Sequence, residues 1–211
     1  MLIDTINKAP FYLLLLCKTT RIEAGNLYKG AGSMKISTKK LAVTALMLAL
    51  CIVSQLFKNL SVYITGPIIN LILLITLLYA GRGCAFVLSV ITPITAFIIT
   101  GSPIMAAMPI VMVAVMAGNA IYVWAFDIAQ QLWRKMYISV AVASVAKGAL
   151  MGVSISLLIL PLLGPASGLP EKALAVAKTT FSVTQLICAL VGGVIACIVW
   201  PMVKKAKHEA E

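Results

Sequence analysis

The chain has 211 residues, 62% of them hydrophobic and only 11% charged, with a mean hydropathy of +1.06 and a formal net charge of +11. A soluble fold carries about 25% charged residues to cover its surface, so this composition excludes a water-soluble enzyme or a nucleic-acid binder and places the chain in a lipid bilayer. The expected fold class is all-α, a polytopic membrane protein with six transmembrane helices.

Residues 1–33 fit that scheme poorly. The apolar patch at 11–17 is too short to span, and the polar stretch after it lacks the small-residue cleavage pattern of a signal peptide. This segment reads as an N-terminal extension, either a non-native start or a membrane-surface segment. Met34-Lys35, followed by Ser37-Thr38-Lys39-Lys40, looks like the natural start of a bacterial membrane protein. The six-helix domain is then 34–207, with 208–211 as a cytoplasmic tail.

A hydrocarbon core about 30 Å thick takes roughly 20 apolar helical residues. Runs free of charge give the spans as 41–57, 59–81 (closed by Arg82), 83–126, 136–163 (interrupted by Lys147) and 179–203. As one helix, 83–126 would be about 66 Å long, so it must fold back, and Gly101-Ser102-Pro103 is the turn signal. On the first span Ala42, Ala45 and Ala49 share a face, small enough for close helix approach in lipid. Asn70 lies in the second span. Thr92 and Thr95 flank Pro93 in the third, and Pro109 interrupts the fourth, which also holds Asn119 next to Gly118. Between spans five and six, 164–178 is the longest loop; Pro170 suits the first position of a short amphipathic helix with Glu171 in its first turn, either a lid or a plain connector. The sixth span carries Gln185.

Lys147 is the residue that the bilayer tolerates least. It stands 11 residues into span five, about 16 Å deep and close to the midplane, where a lysine costs about 2.5–3.5 kcal/mol on insertion scales. Two readings stay open: a cation that meets an anionic or carbonyl group of a ligand, or a structural lysine bonded to backbone carbonyls or Asn side chains. The embedded amides Asn70, Asn119 and Gln185 each need a hydrogen-bond partner. By depth Asn70 and Gln185 fall in the outer halves of their spans and Asn119 nearer the cytoplasm, where it suits helix packing. The candidate substrate-binding set is Lys147, Asn70, Gln185, Asn119, Thr92 and Thr95.

Charge placement gives orientation. With the N-terminus inside, nine basic residues (Lys35, Lys39, Lys40, Arg82, Arg134, Lys135, Lys204, Lys205, Lys207) face the cytoplasm against three outside (Lys58, Lys172, Lys178), so both termini are expected in the cytoplasm of a bacterial plasma membrane. The net charge records topology and anionic-lipid contact rather than nucleic acid. Five cysteines without a Cys-x-x-Cys pair give neither a disulfide framework nor a zinc site, and the single histidine, His208, sits in the tail. No Gly-x-x-x-x-Gly-Lys-Ser/Thr loop is present, and no His, Asp or Glu is embedded for a protease, a metal-dependent transferase or an ion relay. The chain is expected not to be an enzyme and to hold no cofactor or metal.

The stretch from Met34 through Ala45 and Ala49, then Thr65-Gly-Pro-Ile-Ile-Asn70, Thr92-Pro93 and Gly118-Asn119-Ala120, resembles substrate-binding S components of energy-coupling factor transporters. The resemblance covers about 34–207. It implies six helices that capture a vitamin or related micronutrient at the outer face. Uptake would be driven by a transmembrane coupling protein and two cytoplasmic ATPase subunits. It further implies that Ala45 and Ala49 match the family's Ala-x-x-x-Ala motif docking on the coupling protein, and that Lys147 with spans four to six lines the pocket. The chain departs from branches that stack flavin or thiamine, since Trp124, Trp133 and Trp200 lie towards the cytoplasmic ends, and from nickel or cobalt branches, which need an N-terminal His cluster. A small anionic or carbonyl-rich ligand suits Lys147 better than a large aromatic cation. Two other functions stay open: a membrane assembly protein whose alanine face binds partner helices, and an energy-independent facilitator.

Overall fold

The structure, a computed structural model, describes residues 38–57 and 62–209, with side chains to Lys205. The expectations for 1–33, Lys35 and Lys58, and for the Lys207 and His208 side chains, lie outside them. Every regular element among the described residues is helical: α1 (Thr38–Leu56), α2 (Val62–Ala80), α3 (Arg82–Thr100), a short α4 (Pro103–Ala107), α5 (Pro109–Trp133), α6 (Met136–Met151), a π-helical segment (Gly152–Ile159), α7 (Leu160–Leu163), a 3-10 turn (Pro165–Ser167), α8 (Glu171–Thr180) and α9 (Val183–Glu209). Six stretches are long and apolar enough to cross a membrane: α1, α2, α3, α5, Met136–Leu163 and Glu171–Lys205. The chain is thus a multi-pass membrane protein by length and composition, and large apolar side chains such as Leu46, Ile98, Val113, Leu157 and Ile198 point outward as bilayer acyl chains permit.

Short connections turn the chain back on itself. Between α2 and α3 a single residue, Gly81, does so at φ 101°, a backbone region closed to most L side chains. At the other end Gly101 closes α3 in the left-handed conformation, its N–H donating to the Phe97 carbonyl at 2.8 Å. Pro103 and Pro109 each occupy the first turn of a helix, where the missing N–H removes no hydrogen bond. Pro109 therefore starts α5 instead of interrupting a span, and the expected turn at 101–103 is a longer corner that includes α4. Pro170 precedes α8 as its cap residue, one position before the site expected for it.

Two other boundaries differ from the sequence reading. Arg82 opens α3 rather than merely ending α2, and the helix expected to stop at Phe126 runs on through Asp127 to Trp133. The physical reason is a pairing between the two misfits: the Arg82 guanidinium forms an ion pair with the Asp127 carboxylate, which neutralises the acid within the helix. The alternating helices gather Lys39, Lys40, Arg82, Arg134, Lys135, Lys204 and Lys205 at one end of the bundle, called the basic end below.

Near the basic end the core is close-packed, with Ile72, Leu73, Leu74, Leu88, Tyr122, Val123, Phe126 and Val140 all buried. Helix α9 packs on α2 and α6, α5 on α6 and α3, and α1 on α2 and α3. At Gly192 α9 meets the backbone of α2 directly: an added Cβ would stand 2.4 Å from the Pro67 carbonyl oxygen and 2.8 Å from Asn70 Cβ. In lipid, where apolar side chains gain little by leaving the acyl chains, such close backbone contact drives helix association. Hydroxyls are absorbed locally: Thr76, Ser89 and Thr92 each donate to the carbonyl four residues back. A second buried cluster, with Met105, Met108, Val111, Met151, Ile155 and Phe181, lies towards the opposite end.

Candidate functional site

Three helices bring their embedded polar residues to one point. Lys147 on α6 is 2% exposed, and its Nζ donates to Asn70 Oδ1 on α2 at 2.7 Å and to Asn119 Oδ1 on α5 at 2.8 Å. Small residues allow this convergence. At Gly118 a side chain would collide with Met151 at 2.7 Å and lie in contact with the Lys147 stem, while Gly192 seats α9 directly against Asn70. Asn70 is fixed at both ends of its amide, because its Nδ2 donates to the Gly66 carbonyl at 2.9 Å. The Tyr122 ring lies 5.4 Å from Nζ and is held by its hydroxyl, which donates to the Ala189 carbonyl at 2.9 Å.

This arrangement meets the sequence alternative of a lysine bonded to Asn side chains. The same lysine also lines a cavity of about 220 Å³, room for about seven water molecules. Asn70, Asn119 and Lys147 line it together with Thr92, Pro93 and Gln185; Ile104 and Met105 of the α3–α5 corner and Val176, Ala177 and Phe181 of the α8 region contribute from the end away from the basic residues. Helix α8 is seated by Ala177 and Phe181 in the second apolar cluster, and Ser156 of the π-helical segment donates to the Lys178 carbonyl at 3.0 Å.

Of the six sequence candidates, Lys147, Asn70, Asn119, Gln185 and Thr92 line the cavity, and Thr95 does not. Thr95 instead donates to the Thr92 carbonyl at 3.0 Å. Thr92 spends its own hydroxyl hydrogen on the Leu88 carbonyl, whereas the half-buried Gln185 makes no side-chain hydrogen bond to any described residue. The depth assigned to Asn119 changes: because α5 extends to Trp133, Asn119 lies in mid-helix at the level of Lys147. Sequence reasoning missed Thr65, Ser102 and Thr180 in the lining, and Gln55 behind it. Gln55 is fully buried; its Nε2 donates to the Thr92 carbonyl at 3.0 Å, and its Oε1 has no partner among the described residues. Its place at the end of a span gave no sign of burial. On α1, Ala42, Ala45 and Ala49 are all exposed, alongside Leu46, Val53 and Leu56.

Among the described residues no cluster of His, Cys, Asp and Glu could hold a metal ion. The chain matches no family model, no curated protein and no solved structure.

Proposed function

We propose that this protein is the substrate-binding membrane subunit of an energy-coupling factor type transporter, capturing a vitamin or related small micronutrient for uptake driven by partner subunits. The observation that carries the reading is the cavity itself: a space the size of a small molecule, reached by a buried lysine and roofed by short helices. A protein that only packed helices would gain nothing by leaving such a void beside its costliest side chain. The basic end faces the cytoplasm by the distribution of Lys and Arg, so the cavity opens under α8 towards the outside. Energy comes from elsewhere, since no nucleotide-binding loop is written in the chain. The exposed face of Ala42, Ala45 and Ala49 offers a smooth surface on which a transmembrane coupling protein, linked to two cytoplasmic ATPase subunits, could pack closely.

Native mass spectrometry of the purified full-length protein tests the reading: a small molecule carried through purification is expected. Replacing Ala45 or Ala49 with Trp is expected to abolish co-purification with a coupling protein while leaving that molecule bound. A membrane assembly protein would use the same alanine face. It would then bind partner helices with its cavity empty, so a protein that never retains a ligand but still captures partners would favour that alternative.

A further inference from the structure

Lys147 is the only charged residue on the cavity wall among the described residues. Among the described residues no counter-charge meets it. Asp127 stands eight residues beyond Asn119 towards the basic end, about 12 Å along the helix, and is paired with Arg82. Glu171 opens α8 and is exposed. The two amide oxygens that hold the ammonium supply dipoles but no net charge, and a charge removed from water is poorly compensated by dipoles alone.

The hydrogen-bond inventory is lopsided in the same sense. An ammonium has three donors, of which two are used here. Both Asn oxygens turn to Lys147, so each amide must turn its NH2 elsewhere. For Asn70 the acceptor is the Gly66 carbonyl. For Asn119 there is none among the described residues, so Nδ2 and the third ammonium hydrogen are unspent donors on adjoining residues of the lining.

We propose that the cavity takes a small molecule through a carboxylate, which accepts from Lys147 Nζ and Asn119 Nδ2 and directs its apolar body towards Met105, Val115 and Phe181. This rests on the reading of the chain as a binding subunit and adds the chemistry of the ligand's head. A carboxylate matches the site twice: it accepts at both oxygens and donates nothing, and it brings a counter-charge to Lys147. The primary amide of the same acid has nearly the same shape, yet it carries no charge and sets its own donors against those of the site. The volume limits the body to a compact one.

The test compares acid and amide partners on the full-length protein in lipid nanodiscs: nicotinate with nicotinamide, pantothenate with pantothenamide, and biotin with biotinamide, read by thermal shift and native mass spectrometry. Any molecule retained through purification is also released and methyl-esterified. An acid is expected to bind about 10- to 100-fold more tightly than its neutral partner, the range of a charge-assisted hydrogen bond, or the retained molecule to gain a methyl for its carboxyl. Lys147→Met is expected to erase the preference. Asn119→Asp guards against a variant that fails to fold: it places the counter-charge inside the protein, and is expected to raise the melting temperature of the empty form while weakening the acid about 10- to 100-fold. Equal binding of acid and amide, a retained molecule without a carboxyl, or unchanged acid affinity in Asn119→Asp overturns the carboxylate seat and leaves the binding subunit standing. No bound molecule of either kind overturns both.

Discussion

The two halves of the bundle solve different problems with the same helices. Towards the basic end, branched and aromatic side chains such as Leu73, Leu74, Tyr122 and Phe126 fill the interior, and glycines let α9 close against α2. Towards the other end the buried set turns to Met105, Met108 and Met151, the regular helix of span five gives way to a π-helical segment, and two short helices surround a cavity. Methionine is flexible and fills irregular space, so it suits the uneven surroundings of a cavity, whose wall Met105 itself lines. The difference teaches that one polytopic fold can hold a rigid half and an adaptable half without a domain boundary, with Lys147 and its two asparagines at the seam.

Five substitutions would break or sharpen that contrast, measured as stability in detergent or nanodiscs. The largest effect is expected at Gly192→Val, which forces α9 off the Pro67 carbonyl and Asn70; overpacking of this kind costs about 3 kcal/mol or more, and the Lys147 cluster should be disturbed with it. Next, Leu73→Ala in the filled half is expected to cost about 2–4 kcal/mol and to leave ligand binding intact, whereas Met105→Ala, already open on one side to the cavity, falls at the low end near about 2 kcal/mol and changes binding more than stability. If both residues moved stability and binding together, the division into halves would be wrong. Arg82→Gln is expected to cost less than about 1 kcal/mol, because the guanidinium is 58% exposed and water and salt screen the pair; a titration with salt in the parent protein should show the same loss. Gln55→Leu has the smallest expected effect, within about 1 kcal/mol of zero. It deletes one hydrogen bond but also a buried oxygen with no partner among the described residues, and the Thr92 carbonyl keeps its bond from Thr95. A large loss there would mean that Gln55 braces the cavity wall.

Much of this was legible before the structure. Uncharged runs mark all six spans, and Lys147 stands out because nothing else in the chain contradicts its surroundings so strongly. The partners of Lys147 were harder to place. The rule that a charge ends a span misplaced the end of α5 at Phe126, because Asp127 is neutralised by Arg82, a residue 45 positions earlier in the chain that composition cannot pair with it. That error moved Asn119 towards the cytoplasm and away from Lys147. Gln55 stayed hidden for a related reason, since an amide at the end of a span is expected to meet the interface, and its burial depends on how α1 leans on α3. Thr92 and Thr95 look equivalent around Pro93, yet only one reaches the cavity, a matter of helix rotation that residue type does not encode.

The π-helical segment Gly152–Ile159 has a consequence for how this chain can change over evolutionary time. Its terminal bond runs from the Leu160 N–H to the Ile155 carbonyl, five residues back rather than four, so span five carries slack in its own winding. Deleting one residue there would restore ordinary winding and rotate everything beyond it by about 100° relative to Lys147. The bond from Ser156 to the Lys178 carbonyl would be lost, and α8 would meet the cavity with a different set of side chains. A single codon therefore separates two versions of the roof over an unchanged floor, a short mutational path to a cavity with a different lining.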